Sequence, residues 1–349
     1  MPYLRNCWYL AAWSDRLEAG KVIARTILDE PVALFRGRDG KIGALEDRCP
    51  HRFAPLSAGK VNDVGAVVCG YHGLGFGRDG VCVRNPHGPI PSALKVRSWP
   101  VVDLHGIIWI WMGAAEACDQ KLIPDFSWFE RAPSTAKSHD EILSGGGGYD
   151  LYVDNIMDLS HTDYLHADTL GGGGVAFSKP DITTTDSWIE VVWQSRDAHP
   201  PAMYPRMIPN LPELVDLTLR VRWFPASIMR LDGEVRHKNM SGDDCHRAIA
   251  AHIFTPESEG TTHYFYAIAR NFAEEDEACN SMIAEARSRI FRTEDKPMIE
   301  RVHARMEGRD FWEMKPLLLR IDIGAVHVRR RLKKLIEDEA GRRLVLAAT

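Results

Sequence analysis

Two short cysteine–histidine clusters near the N-terminus constrain this chain more than any other feature. The first reads Cys49-Pro-His51 and the second reads Cys69-Gly-Tyr-His72. The prolines and glycines within and after these clusters favour tight loops. Cysteines and histidines from the two clusters can form one site only if the two loops lie side by side. We therefore expect a small all-β module with both loops at its tip.

Each cluster offers one thiolate and one imidazole, and this interleaving indicates the kind of metal group. Two cysteines on one iron and two histidines on the other are the ligands of a Rieske-type [2Fe–2S] centre, whose chemistry is one-electron transfer. Structural zinc also takes two cysteines and two histidines, but usually as C-x2–4-C followed by H-x3–5-H. Four unrelated core residues are the third interpretation, and the loop context argues against it. The Rieske-type centre is the prediction, with zinc as the alternative.

Length and composition allow two domains and exclude several classes of protein. The chain has 349 residues, of which 45% are hydrophobic and 26% charged, as in ordinary globular proteins. A net charge of −5 argues against nucleic acid or an anionic membrane as the partner. We find no membrane-length apolar run and no signal-peptide pattern, and the seven cysteines are scattered like reduced thiols. These features predict a cytoplasmic location.

The chain changes character near residue 115. Residues 1–115 have the strands and turns of an all-β domain, including a hairpin at 31–46 and an apolar strand at 106–112. Residues 116–349 predict an α+β domain with an antiparallel sheet and segregated helices. Its predicted helices cover 149–167, 274–308 and 323–340, its strands cover 187–193, 217–223, 247–254 and 263–268, and glycine runs at 145–148 and 171–174 suggest hinges.

The predicted helix after residue 149 carries a second set of ligand-type residues, namely Asn155, Asp158, His161 and His166. Asp158 and His161 share a helical face. His166 lies about 140° around an ideal helix from His161, so joint ligation requires the helix to end or bulge between them. Two histidines and a distant carboxylate form the facial triad of non-haem Fe(II) oxygenases. A structural histidine is the ordinary alternative, but a one-electron donor in the same chain favours an iron site.

These motifs resemble the Rieske non-haem iron oxygenases, specifically the short oxygenase components typified by vanillate O-demethylase, dicamba monooxygenase and toluenesulfonate methyl-monooxygenase. The resembling segments are 5–13, 49–56, 71–74, 153–166, 254–257 and 269–272. The resemblance implies a helix-grip-like catalytic domain and a head-to-tail homotrimer. Electrons would pass from His72 of one subunit to the iron of its neighbour, through a bridging Asp158 that also accepts a hydrogen bond from its own His161.

The resemblance also implies roles for three further residues. Residues 321–326 look like the segment that supplies the third ligand, so Asp322 is expected to bind iron, with a helix N-cap as its alternative role. Asn155 is expected to be a weak ligand or an orienting group. His252 occupies a position that resembles a substrate-carboxylate contact.

The implied reaction uses O2 and electrons that a separate reductase takes from NAD(P)H. The expected substrate is a small aromatic acid, with O-demethylation of a vanillate-like methoxybenzoate as the first expectation. Hydroxylation of an aryl methyl group or a ring carbon is the alternative. A Rieske electron carrier would need only the first domain, and a zinc-stabilised interaction protein fits the cluster spacing poorly.

Overall fold

A computed structural model describes residues 3–172, 174–238, 240 and 244–347, with side chains up to residue 342. The chain forms two compact units. The first contains Tyr3–Pro124 and Thr255–Glu259, and the second contains Asp125–Phe254 and the residues from Gly260 onward. The hinge expected at 171–174 includes residue 173, which lies outside the described residues.

The first unit consists of three small antiparallel sheets. Its strands are β1 (Trp8–Trp13), β2 (Val22–Ile27), β3 (Glu30–Arg36), β4 (Ile42–Glu46), β5 (Lys60–Val61), β6 (Val67–Val68), β7 (Gly75–Phe76), β8 (Cys82–Arg84), β9 (Ser98–Trp99), β10 (Val101–Leu104) and β11 (Ile107–Trp111). The strand orders are β1-β11-β10, β2-β3-β4-β9 and β5-β6-β7-β8. This architecture confirms the all-β prediction for the N-terminal domain.

The apolar patterning of this unit follows from which strands are central. Strand β11 lies between β1 and β10, and all five of its residues are buried, as its continuous apolar run predicts. Strands β3 and β4 form the predicted hairpin, and Gly40 in its turn has a φ of +78°, a conformation that glycine adopts without strain.

The second unit contains one seven-stranded antiparallel sheet. Its strands are β12 (Lys137–Gly145), β13 (Asp181–Thr184), β14 (Ile189–Ala198), β15 (Val215–Phe224), β16 (Ile228–Arg236), β17 (His246–Ser258) and β18 (Thr261–Arg270). The order is β12-β18-β17-β16-β15-β14-β13. The last residues of β17, from Thr255, belong to the first unit.

The helices of the second unit are α1 (Ser127–Arg131), α2 (Tyr149–Met157), α3 (Thr162–Leu165), α4 (Tyr204–Met207), α5 (Glu277–Ile290), α6 (Lys296–Met306) and α7 (Ile323–Ala347). A π-helical turn, Phe291–Asp295, joins α5 to α6. Sheet and helices together confirm the α+β prediction for the C-terminal domain. Over the described residues, we find no helix that combines the length and the apolar character needed to span a bilayer.

The two units separate at Pro124, whereas the sequence predicted a boundary at 115. One contact shows why the extra residues stay with the first unit. The indole Nε1 of Trp8 donates to the carbonyl of Asp119 at 2.8 Å. Residues 116–124 are therefore anchored to β1.

Helix α5 shows how the sequence positions the helical layer. Its N-cap, Asp276, accepts a hydrogen bond from the N–H of Cys279 at 2.9 Å. Ile283, Ala286 and Ile290 recur at helical spacing on its buried face. That face and β17 border the same cavity, which is described below.

Candidate functional site

The two cysteine–histidine loops have the same backbone structure. In each loop the cysteine N–H donates to the carbonyl five residues later, at 2.8 Å in both cases. The cysteine carbonyl accepts from the N–H four residues later, at 2.8 Å in the first loop and 3.0 Å in the second. Phe53 and Gly73 occupy this equivalent position, with φ values of +60° and +73°. The two loops thus present their ligands in matched turns.

These loops bring the four predicted cluster ligands together. The thiols of Cys49 and Cys69 are both 2% exposed and lie in contact with each other without forming a disulfide. The imidazole rings of His51 and His72 lie with their centroids 4.5 Å apart. Burial, followed by the neighbouring Cys69 thiol, raises the pKa of Cys49. Two buried thiols in contact with each other and beside two imidazoles fit a metal cluster, because a cation would stabilise both thiolates.

The second constellation forms where helix α2 ends. Asp158 has an extended backbone (φ −126°, ψ 95°), and its carboxylate Oδ1 accepts a hydrogen bond from the N–H of Ser160 at 2.9 Å. A 3-10 turn, Leu159–His161, then leads into α3. This break is the change of helix geometry that joint ligation by His161 and His166 requires.

Each of these histidines has one ring nitrogen bound to the protein and the other aimed at a common point. His161 donates through Nδ1 to the backbone carbonyl of Asp158 at 2.6 Å. His166 donates through Nδ1 to Oε2 of Glu294 at 2.7 Å. These bonds leave the Nε2 lone pairs available, which is how proteins orient histidine ligands. The expected bond from His161 to the Asp158 carboxylate is replaced by this bond to the main-chain carbonyl.

The third member of the site is Asp295. Its Oδ1 lies 3.1 Å from Nε2 of His166 and 3.6 Å from Nε2 of His161. Ligand atoms of the three residues lie within 4.8 Å of one another. Two imidazole nitrogens and a carboxylate oxygen converging in this way fit a divalent iron. Burial tends to raise the pKa of Asp295, but the two histidines hold it well below its usual range.

The placement of Asp295 corrects the prediction for Asp322. The Asp322 carboxylate accepts a hydrogen bond from the N–H of Leu319 at 2.5 Å, just before α7. It therefore has the capping role that was the alternative at the sequence level. No local pattern pointed to Asp295, because a π turn adds a residue to the helical period and changes which side chains face inward.

Asn155 lies beside the three ligand residues. Its Nδ2 is 3.2 Å from Oδ1 of Asp295 and 3.4 Å from Nε2 of His161. An amide at these distances can orient the carboxylate that faces both histidines. The carboxylate of Asp158 receives its hydrogen bonds from Ser160, and burial raises its pKa.

A cavity of about 180 Å³ opens beside Asp295, His161 and His166. Most of its wall is apolar and comes from alternate residues of the central strands, with α4, α5 and the π turn covering them. The segment 195–245 contributes seven residues to its wall, namely Pro201, Met203, Tyr204, Met207, Leu219, Leu231 and Gly233.

His252 lies on the wall of this cavity. Its Nδ1 is 2.7 Å from the hydroxyl of Tyr264. Burial, and then the charge of Arg287, lower the pKa of His252 to about 3, so the imidazole is neutral. The sequence predicted His252 as a site residue but neither of these partners. Alternation within β18 and helical spacing in α5 indicate which of their residues face inward, but not that Tyr264 and Arg287 meet at His252.

Comparison with known proteins agrees with this arrangement. Residues 7–100 match the Rieske [2Fe-2S] domain, and residues 146–338 match the vanillate O-demethylase oxygenase C-terminal domain. The chloroacetanilide N-alkylformylase oxygenase component of Rhizorhabdus wittichii is 35% identical, with 99% of each chain covered. The dicamba O-demethylase oxygenase component of Stenotrophomonas maltophilia is 34% identical over 97% of this chain and 100% of that protein.

A solved structure with the same fold is dicamba monooxygenase bound to dicamba. It superposes with a TM-score of 0.90 and 33% sequence identity, covering 98% of this chain and all of the other.

These matches establish the class of protein and its cofactors. The protein is the oxygenase component of an O2-dependent system, with a Rieske [2Fe–2S] cluster, a mononuclear non-haem iron and a separate reductase that supplies electrons. Zinc is thereby excluded as the occupant of the first site, and a stand-alone electron carrier is excluded as the function. The chain belongs to the Rieske non-haem iron oxygenases whose catalytic domain is of the vanillate O-demethylase oxygenase type.

Proposed function

We propose that this oxygenase removes a methyl group from oxygen on a small aromatic acid, with a methoxybenzoate as the substrate class. With both groups bound, the cluster supplies single electrons and the mononuclear iron is where O2 is reduced, so that one oxygen atom reaches the substrate and the other leaves as water. Insertion of oxygen into a methoxy C–H bond consumes two electrons and two protons. It gives a hemiacetal, which collapses to a phenol and formaldehyde.

The observation that carries the proposal is the cavity beside His161, His166 and Asp295. An apolar cavity of about 150 Å³ accommodates benzene in another protein, so a space of about 180 Å³ suits a substrate with one ring. Its apolar wall excludes water from the reacting carbon, and His252 supplies a polar contact. Glu294 holds His166 in orientation, and Asn155 holds Asp295, so the reacting face has a fixed geometry.

The proposal includes a head-to-tail homotrimer in which Asp158 lies between His72 of one subunit and the iron site of the next. The support within one chain is that Asp158 is half-buried and precedes the His161 turn directly. Over the described residues, its carboxylate is bound by Ser160 alone, which leaves acceptor capacity for a donor from a second subunit.

A substrate panel tests the reaction. Methoxybenzoates, methylbenzoates and arylsulfonates are incubated with the protein, a surrogate reductase, NADH and O2, and products are assayed directly. We expect formaldehyde and a phenol in equal amounts from at least one methoxybenzoate. A benzylic alcohol or a ring-hydroxylated acid without formaldehyde would instead establish hydroxylation. Oxygen consumption alone does not distinguish these outcomes, because uncoupled turnover also consumes O2.

A second dealkylation is worth including in the panel. One of the most similar relatives is named for N-dealkylation of chloroacetanilides, and oxidation of carbon next to nitrogen follows the same chemistry. An N-alkylated anilide, which is neutral, serves as the test substrate. Turnover of the anilide without turnover of any methoxybenzoate would replace O-demethylation as the proposed reaction.

A further inference from the structure

The wall of the candidate substrate cavity contains a half-buried cation that its role in the fold does not explain. Arg287 lies on α5 and borders the cavity together with His252. Its Nε is buried and has no hydrogen-bond partner. Over the described part of the chain, Arg287 forms no ion pair with a carboxylate.

Two buried arginines of this unit, Arg270 and Arg329, are instead held by several protein acceptors, although Nε of Arg270 also lacks a partner. Arg270 donates to Asn280 at 3.0 Å and to three main-chain carbonyls. Arg329 donates to Asp154 at 2.7 Å and to Asp150 at 2.9 Å. Both have an evident structural role. A guanidinium stays charged at physiological pH, so one held in an apolar cavity without an acid is suited to an anion that enters from outside.

The neighbours of Arg287 are two tyrosines on β18. Its guanidinium carbon lies 5.7 Å from the ring centroid of Tyr266, and the guanidinium lies near the hydroxyl of Tyr264. Burial lowers the pKa of Arg287, and these tyrosines offset part of that effect. Neither ring carries a negative charge that would neutralise the cation.

Tyr264 also connects Arg287 to His252. The positive charge of Arg287 favours the orientation in which the Tyr264 oxygen faces the guanidinium and the hydroxyl hydrogen points away from it. That hydrogen then donates to Nδ1 of His252, 2.7 Å away. This orientation selects the His252 tautomer that carries its proton on Nε2. A neutral imidazole with Nε2–H is a donor, and it lies on the same cavity wall as the cation.

We propose that Arg287 binds the carboxylate of the substrate, that His252 donates a second hydrogen bond to it, and that Tyr264 fixes the His252 tautomer for this purpose. This inference deepens the proposed function, on which it rests. It adds the residue that distinguishes an aromatic carboxylate from its neutral analogue. Arg287 is thereby a specificity-determining residue, because a neutral substrate leaves its charge unmatched.

The test compares an anion with its neutral counterpart. 3-Methoxybenzoate and 3-methoxybenzamide have nearly the same shape and differ in charge. Their binding to the iron-loaded, oxidised protein is measured by calorimetry without a reductase, so that no turnover occurs. Formaldehyde release from both compounds is then measured with the reductase present.

Arg287→Met removes the charge and keeps an apolar side chain of similar length. Hydrogen bonds to charged groups stabilise by an amount that corresponds to about 10- to 150-fold in affinity. We expect Kd for the acid to rise by about that factor and Kd for the amide to change less than about threefold. Arg287→Lys should retain part of the preference for the acid. Arg289→Met, at an exposed position of the same helix, is the matched control and should leave both Kd values unchanged.

The outcomes separate this inference from the proposed reaction. Equal weakening of acid and amide by Arg287→Met, or no weakening of either, would overturn the anion contact even if formaldehyde is still formed. If Arg287→Met selectively loses binding of the acid but the unaltered protein forms no formaldehyde, the anion contact is upheld and O-demethylation is rejected. Failure of the unaltered protein to bind any benzoate would reject both. If Arg287→Met does not fold, as judged by circular dichroism and iron content, the lysine variant decides.

Discussion

The imidazoles of His161 and His166 differ in what holds them, and this difference affects how the iron site forms. His161 is oriented by a main-chain carbonyl, which is present whenever the chain folds. His166 depends on the Glu294 carboxylate, which also accepts a hydrogen bond from the Thr169 hydroxyl at 3.2 Å. A side-chain substitution cannot remove the main-chain carbonyl that orients His161. A substitution at Glu294 can weaken the contact that orients His166.

The assignment of Asp295 leads to a prediction about iron content. Asp295→Asn should lower the iron content from about three atoms per chain to about two, the two of the [2Fe–2S] cluster, because a neutral amide is a poor ligand for Fe(II). The Rieske absorption and sulfide content should be unchanged, and turnover should be lost. Iron and acid-labile sulfide analysis provides the measurement.

Asp322→Asn is the matched control, since asparagine also caps helices. It should keep all the iron and nearly all the activity. Loss of the mononuclear iron from this variant, with retention in Asp295→Asn, would restore Asp322 as the ligand.

The neutral state of His252 has a consequence for stability against pH. The pKa of His252 is about 3 in the folded protein, with Tyr264, Arg287 and Asp295 as the groups that face it, and about 6.5 in an unfolded chain. Between these values the unfolded state binds the additional proton. Stability from His252 is therefore fully present above about pH 6.5 and falls as the pH decreases.

A His252→Asn variant tests this linkage. The difference in the free energy of unfolding between the unaltered protein and the variant should shrink on acidification below pH 6.5. The slope approaches about 1.4 kcal/mol per pH unit, the value for one proton. Urea unfolding at pH 7, 6 and 5 measures it, and a difference that does not change with pH would contradict a neutral buried histidine.

At the scale of elements, the π turn between α5 and α6 decides which side chains reach the cavity. The extra residue in this turn places Glu294 and Asp295 next to each other in position to contact His166 through different ring nitrogens. Neighbouring residues of a regular α-helix point about 100° apart. The wider π turn shifts this phase for the residues at its end. π turns inside helices are frequent at functional sites for this reason.

Helices α2 and α7 are joined by a buried ion pair that supports the ligand helix. Arg329 is 2% exposed and donates to Asp154 and Asp150, one and two turns before the α2 terminus. Arg329→Met should destabilise the catalytic domain by about 3–5 kcal/mol, because it leaves buried carboxylates without a partner. Urea unfolding followed by circular dichroism gives the magnitude.

A double variant identifies the cause of that loss. Asp154→Asn added to Arg329→Met should restore part of the stability, since it removes one of the unmatched charges. If the two losses simply add, packing of the arginine side chain rather than its charge is what joins the helices.

At the scale of the whole molecule, the proposed trimer makes electron transfer depend on contacts that a single chain does not contain. Asp158→Asn should leave both metal groups bound and slow reoxidation of the reduced cluster by about 10- to 100-fold, as expected for loss of a residue that orients a ligand. Single-turnover absorbance of the Rieske cluster measures this rate.

The exposed Asp168→Asn, on the same segment, is the control and should behave like the unaltered protein. Light scattering on each sample reports the oligomeric state. An unchanged reoxidation rate in a trimeric Asp158→Asn variant would reject the bridging role, and a fully active monomer would reject the path between subunits.

The sequence by itself determined the features whose information is local. The loops at 49–51 and 69–72 predict an iron–sulfur cluster because ligand-type residues and turn residues occur together within a few positions. The apolar run of β11 and the helical spacing in α5 likewise follow from local patterns of burial. His161 and His166 were recognised because they lie close together in the chain.

Only the tertiary structure decided which distant residues complete the sites. The carboxylate beside the two histidines is Asp295 and not the predicted Asp322. Helix phase across a π turn is set by packing and cannot be read from a hydrophobic pattern. Arg287 and Tyr264 reach His252 from α5 and β18, and no spacing rule connects three residues on separate elements. Local patterns specify what each segment can be, whereas convergence of side chains in a cavity depends on how those segments pack.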